Sequence, residues 1–231
     1  MHGRDEEAER VDRPALLDRA DGTETLYDAI LEDISSGRLV GGQRLKVSEL
    51  AKRFGVSASP VRETLRQMQG EGFVEIHANR GALVKRADAS TIQNIFEVLR
   101  LLEPYLVTWF AEFAAPEAVA ELQEIQDRMV AAAKSDTALL RRLDTRFHGT
   151  ICRHHYNPVA AENWQKLRTA LNVHAAPLRI TPTRVQKILA EHAALIAAFQ
   201  AGDATRADTV IRSHIDGSFI NMSQQMRALG L

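Results

Sequence analysis

Residues 45–86 read LKVSELAKRFGVSASPVRETLRQMQGEGFVEIHANRGALVKR. Ser48 is a good helix N-cap, Leu50, Ala51 and Phe54 follow at helical spacing, and Gly55 closes that helix. After the turn Val56-Ser57-Ala58-Ser59, Pro60 stands where a second helix can start, because its missing N–H has no intrahelical partner there. Val61, Leu65 and Met68 give this helix a buried stripe, while Arg62 and Arg66, one turn apart, share an outer face. Gly70 and Gly72 stop it. Phe73, Val74 and Ile76, a turn Ala78-Asn79-Arg80-Gly81, and Ala82, Leu83 and Val84 then read as a short β-hairpin. Two short helices in tight succession and a basic-tipped hairpin make a winged helix-turn-helix. A small structural helical hairpin is the alternative. A helix of this kind fits the DNA major groove, with side chains near its N-terminus reaching base edges and phosphates. Ser57, Ser59, Arg62 and Arg66 are the candidate DNA contacts on the helix, with Arg80 and Gly81 on the wing.

Outward from that stretch, 231 residues suffice for one large or two small domains with proper cores. A hydrophobic share of 45% beside 26% charged residues is that of an ordinary soluble protein. Its apolar runs are far shorter than the ~20 residues of a membrane span. The N-terminus lacks an apolar secretion signal, and the single Cys152 excludes an internal disulfide or a CxxC motif. Both suit a reducing cytoplasm. Residues 23–87 carry 10 basic and 8 acidic side chains, whereas residues 1–22 carry 4 and 7 and residues 88–231 carry 15 and 15. The DNA-binding candidate is therefore the only basic part of the chain, and mildly so.

Residues 1–22, charged and without periodicity, read as a disordered tail, residues 23–87 as the DNA-binding domain and residues 88–231 as a second, all-helical domain. Asp88 or Ser90 can cap its first helix, whose stripe runs through Ile92, Phe96, Leu99, Leu106 and Phe110, with a kink or break expected at Pro104. Pro116 opens a second helix and Asp136 caps a third, which runs through Leu140, Leu143, Phe147 and Ile151. A fourth carries Trp164, Leu167, Leu171 and Leu178, Thr181-Pro182 begins a fifth, and Ala201-Gly202-Asp203 turns into a sixth. The fold class expected is mainly α: an N-terminal winged helix-turn-helix and a C-terminal antiparallel helical bundle.

Four polar residues stand on inward stripes of that bundle. Asp144 and His148 are spaced i, i+4 among Leu140, Phe147 and Ile151; His192 leads Leu195 and Phe199; His214 follows Val210 and Ile211. His192 lies ten residues before Gly202 and His214 twelve after it. At ~1.5 Å rise per residue they sit roughly 15 and 18 Å from the turn, at nearly one height in an antiparallel hairpin. Facing Asp144 and His148, they make a His₃Asp set suited to Zn²⁺ or another first-row divalent metal. A single inward histidine is more often a hydrogen-bonded core residue, but four polar groups at matched heights favour a shared site. His2, His77, His154, His155 and His174 have no matched partner and read as structural or solvated.

The stretch "LKVSELAKRFGVSASPVRETLRQMQGEGFVE…NRGALV" resembles the winged helix-turn-helix of the GntR family of bacterial repressors, and residues 25–45 resemble that family's first helix and loop. Ala58 stands where the family usually has Arg, and Ser48 where it often has a basic residue, so the operator of its relatives is not carried over. "VLRLLEP", "LDTRFHGTI…YNP", "EHAALIAAFQAGDATRA" and the late His214 are similar to the FCD ligand-binding domain of the FadR subfamily. That resemblance implies one divalent metal per chain at Asp144, His148, His192 and His214, zinc first, with nickel, manganese or iron as alternatives. It also implies a small carboxylate effector completing the coordination sphere. Arg100 can add a charge-assisted contact to such a carboxylate, or else form an interhelical ion pair; Asn172 is a second candidate of the same kind. The function expected is a metabolite-responsive repressor acting as a homodimer on an inverted-repeat operator in double-stranded DNA, with no membrane partner. A metal-dependent hydrolase on a helical bundle is the rival. Against it, the chain has no HExxH, GxSxG, P-loop or GxGxxG, and Glu191 points about 100° around the helix from His192, poorly placed as a general base.

Overall fold

The computed structural model describes residues 25–35, 37–78, 81–86 and 88–230. The N-terminal stretch 1–22 and Arg80 lie outside the described residues. The chain divides into two compact units: residues up to Ile34 with Gly41–Lys85, and Ser35–Val40 with the chain from Arg86 onward.

The first unit runs α1 (Leu26–Ser35), β1 (Arg44–Leu45), α2 (Val47–Phe54), α3 (Ala58–Gly70), β2 (Val74–His77) and β3 (Gly81–Val84). Helix α2 begins two residues earlier than its sequence signal suggests. Lys46, extended at φ −88°, is the N-cap, and its carbonyl accepts from the Glu49 and Leu50 amides, so Ser48 falls inside the first turn. The chain leaves β1 at Leu45 and turns straight into the helix. Gly55, at φ +66°, closes it as expected. Helix α3 likewise starts at Ala58, with Ser57 as N-cap, which makes Pro60 its third residue. An N–H at that position also lacks an intrahelical acceptor, so the proline remains tolerated. Val61, Leu65 and Met68 are buried, as their spacing requires. The hairpin of β2 and β3 pairs Ile76 with Ala82 and Val74 with Val84, and β1 adds on the far side of β3 to give the order β1-β3-β2.

The second unit holds α4 (Ala89–Phe113), α5 (Pro116–Ala132), α6 (Thr137–Arg153), α7 (Pro158–Ala175), α8 (Pro182–Ala201) and α9 (Ala204–Leu229). Its caps follow the sequence closely. Asp88 accepts from the Ser90 and Thr91 amides, Asp136 from Leu139, Asn157 from Ala160, Thr181 from Arg184 and Asp203 from Arg206. Of the kink or break expected at Pro104, the break does not occur. Helix α4 runs through it, with Pro104 buried and the Thr108 hydroxyl donating to the Pro104 carbonyl at 2.8 Å, because the packing of α4 against α9 and α7 outweighs the loss of one backbone hydrogen bond. Helix α7 ends at Ala175, so Leu178 belongs to the following connection and reaches the core from there. Helix α5 lies on α6 and α8, and α8 lies on α9 across the left-handed Gly202, at φ +65°. The inward stripes meet in one apolar cluster that includes Phe96, Leu99, Phe110, Leu122, Phe147, Trp164, Leu195 and Ile211.

Candidate functional site

On the first unit, the buried stripe of α3 turns the opposite face outward. Ser57, Ser59, Arg62 and Arg66 are all exposed, and the Ser57 hydroxyl does not cap the helix. Gly81 sits at φ +73° at the start of β3, a left-handed conformation that favours glycine. The Arg44 guanidinium lies over it, 3.8 Å from where a Cβ would stand. Arg44 was not among the sequence candidates, since a two-residue strand has no alternation to reveal it. It adds an exposed cation at the base of the wing. Helix α2 is tied to α1 by an ion pair of 2.6 Å between Arg53 and the buried Asp33.

On the second unit, three helices bring the four inward polar residues together. Asp144 and His148 come from α6, His192 from α8 and His214 from α9, and one potential ligand atom from each lies within 4.8 Å of all the others. The imidazole centroids are 5.0–5.2 Å apart, and His192 stacks on Phe147 at 4.0 Å. Matching heights in the α8–α9 hairpin thus produce the contact that the residue count around Gly202 implied. All three histidines are buried, His192 completely. Asp144 Oδ1, His148 Nε2 and both nitrogens of His192 are buried without a hydrogen-bond partner. His192 Nε2 faces Asp144 Oδ1 at 3.6 Å.

Burial, reinforced by the neighbouring His214, pushes His148 well below the ordinary imidazole value and His192 down to about 3. Both rings are therefore neutral and able to donate a lone pair near neutral pH. Burial opposes ionisation of Asp144, but the Arg168 guanidinium and the neighbouring imidazoles outweigh it and hold the carboxyl below its usual value. His148 and His192 therefore offer neutral imidazole nitrogens and Asp144 a carboxylate oxygen, converging with His214 and without hydrogen-bond partners of their own. That donor set fits a first-row divalent cation.

Two arginines flank the cluster, Arg184 buried and Arg168 partly buried, and neither was a sequence candidate. Arg168 on α7 pairs with Asp144 Oδ2, leaving Oδ1 toward the histidines. Arg184 on α8 pairs with Glu191 at 3.0 Å, and Glu191 meets His214 Nδ1 at 2.9 Å. Spacing held a signal for both: Arg168 stands one turn from the inward Trp164, and Arg184 two turns from Glu191. Glu191 does point away from His192, as helical geometry requires, and that direction takes it to the next helix. Of the two effector candidates, Asn172 donates to Thr145 Oγ1 at 3.2 Å, on the α6 flank of the cluster. Arg100 is in an ion pair with Asp216 at 2.8 Å and lies 4.8 Å over the Phe219 ring. Away from the cluster, His155 is buried among Tyr105, Trp109 and Tyr156 and accepts from the Asn157 amide, while His77 is exposed beside Glu75.

A winged helix-turn-helix with an exposed basic recognition face, carried with a helical sensor-type unit, defines a DNA-binding transcriptional regulator. Comparison with known proteins gives the family. The model of "Bacterial regulatory proteins, gntR family" matches residues 23–84 and that of the "FCD domain" matches residues 94–217. The chain belongs to the GntR family of bacterial regulatory proteins, as a member with an FCD domain. It is 31% identical over 129 residues to an uncharacterized HTH-type regulator from the TAR-I ttuE-ttuC' intergenic region of Agrobacterium vitis, covering 54% of this chain and 75% of that one. It is 26% identical over 208 residues to LutR of Bacillus subtilis (79% and 92%) and 24% over 221 residues to the galactonate operon transcriptional repressor of Escherichia coli (85% and 94%). The fold is shared with E. coli McbR/YncC, with a TM-score of 0.78 at 22% identity over 87% of this chain and 96% of that one. The families and relatives are transcriptional regulators rather than enzymes, and the hydrolase alternative has no support. No helix among the described residues is long and apolar enough to cross a membrane.

Proposed function

We propose that this regulator is a repressor, acting as a homodimer on an inverted repeat, whose helical unit holds a divalent transition metal and, through it, a small carboxylate effector. Asp144, His148, His192 and His214 are the ligands, with zinc the first expectation and nickel, manganese or iron the alternatives. The observation that carries this is the convergence of buried, unpartnered donor atoms on Asp144, His148 and His192. Leaving such groups unpaired costs free energy that a bound cation removes. Charge supports an anionic effector. The Asp144 and Glu191 carboxylates are already balanced by Arg168 and Arg184, so a divalent ion leaves this interior with uncompensated positive charge. Bound there, the metal supplies a Lewis-acidic centre that attracts a carboxylate oxygen.

Ser57, Ser59, Arg62, Arg66, Arg80 and Gly81 are the DNA contacts in this reading, with Arg44 a further phosphate contact beside the wing. A galactonate operon repressor among the relatives supports the repressor sense. Effector binding changes DNA affinity only if the effector binds the DNA-competent and DNA-incompetent arrangements unequally. Elemental analysis of the purified chain, beside the His192→Ala/His214→Ala variant, tests the site. About one metal per chain, lost in the variant, is the expected result. A folded protein that takes up neither Zn²⁺ nor Ni²⁺ overturns it. Operator binding measured with and without a panel of small carboxylates then tests the effector.

A further inference from the structure

The metal-ligand set leaves one arrangement unused: the buried chain from Arg184 through Glu191 to His214. Arg184 is 5% exposed and makes three polar contacts besides Glu191 Oε1 and Oε2. Its Nη2 donates to the His214 carbonyl at 2.7 Å and to Ser218 Oγ at 2.9 Å, and approaches His214 Nδ1 at 3.5 Å. Two of these three contacts fix the guanidinium against the backbone and the side chain of α9, one turn apart. Gly217 leaves it room, since a Cβ there would stand 2.5 Å from Arg184 Nη1 and 3.0 Å from its Cζ.

Glu191 accepts hydrogen bonds on both sides. One side is the Arg184 guanidinium, a permanent cation that can only donate and lies 3.0 Å from both Glu191 oxygens, so Glu191 meets it as a carboxylate, which cannot itself donate. The 2.9 Å contact with His214 Nδ1 therefore requires the proton to be on that nitrogen, and the longer 3.5 Å approach of Arg184 Nη2 to the same atom is then not a hydrogen bond. The other nitrogen, Nε2, is then left with its lone pair.

We propose that Glu191, anchored by Arg184, is a positioning residue that commits His214 to the Nδ1–H tautomer and so presents Nε2 to the metal. The inference rests on the metal reading above. A carboxylate behind a ligating imidazole fixes the ring's orientation and raises its basicity, and loss of such a partner weakens metal binding 10- to 100-fold. Glycine at position 217 belongs to the same device, because any side chain there displaces the guanidinium that anchors Glu191.

The test uses the full chain, Co²⁺ as the probe, and the variants Glu191→Gln, Glu191→Leu and Gly217→Ala. Since Glu191→Leu strands a buried guanidinium, the pair Arg184→Met/Glu191→Leu is measured beside it. Long-range ¹H–¹⁵N spectra of the metal-free protein, with the His214 signals assigned from their loss in His214→Gln, report the tautomer. The Nδ1–H form is expected. Co²⁺ affinity should fall about 10- to 100-fold in Glu191→Leu and in the double variant, fall in Gly217→Ala, and stay near wild type in Glu191→Gln, whose amide oxygen still accepts. An Nε2–H tautomer in the wild type overturns the proposal, as does wild-type Co²⁺ affinity in the folded double variant. A wild-type chain that binds no Co²⁺ overturns the metal reading and this role with it. Equal binding by wild type and double variant removes the positioning role alone.

Discussion

Replacing His192 with leucine should make the metal-free protein more stable and the metal-supplied protein less so. His192 is 0% exposed, neither ring nitrogen has a hydrogen-bond partner, and one face of the ring lies on Phe147 at 4.0 Å. A buried polar group without a partner costs about 1–3 kcal/mol. Leucine removes that cost and keeps the apolar contact with Phe147, losing about 0.5–1.5 kcal/mol of ring stacking. Asp144 keeps its Arg168 partner. The balance is a gain of about 1 kcal/mol without metal, the difference between these two terms. In a chain of this length that raises the melting temperature by about 2–4 °C.

With metal the order reverses. A cation present at 100 times its Kd stabilises the wild type by about 2.7 kcal/mol and the leucine variant hardly at all. Calorimetric melts of both proteins, in chelator and in Zn²⁺, give the four numbers needed. The reasoning is refuted if His192→Leu lowers the melting temperature in chelator and Zn²⁺ shifts neither protein. That pattern would make His192 a satisfied core residue rather than a ligand waiting for a cation.

Arg62→Ala should weaken operator binding about 5- to 150-fold, the worth of one base contact of about 1–3 kcal/mol, and leave metal content unchanged. Arg66→Ala, if Arg66 meets a phosphate, should lower the salt dependence of binding by about one charge; fluorescence anisotropy at several salt concentrations separates the two. Asp88→Ala should destabilise the helical unit by about 1 kcal/mol through loss of the cap on α4. Hydrogen bonds from Thr91 and Ser90 lower the Asp88 pKa from 3.8 to about 2, so this contribution is complete above pH 3.8 and disappears as the pH falls through 2. Urea melts of wild type and variant should therefore converge between those values. Arg53→Met takes an ion-pair partner from Asp33, which is 1% exposed, and should destabilise the DNA-binding unit by about 1–3 kcal/mol in the same assay.

What could be read from the sequence, and what could not, follows from how far apart the interacting residues lie along the chain. Periodicity and caps act within a turn or two, which is why Asp88, Asp136, Thr181 and Gly202 mark their helix ends in the sequence and in the fold alike. The α8–α9 hairpin extends that reach: with Gly202 fixed, residue counts alone put His192 beside His214. Strand β1 escaped because two residues carry no alternation, and no break occurs at Pro104 because a local rule met a helix whose inner face is packed against α9 and α7. Glu191 is the instructive case. Its direction relative to His192 was correct, and judged on its own helix it had nothing to do. Its partner is on α9, 23 residues later, and the arginine that anchors it is seven residues earlier on α8. A residue facing away from a site along its own helix can therefore belong to that site through the helix packed beside it, and the same rule covers Arg168, which meets Asp144 across the gap between α7 and α6.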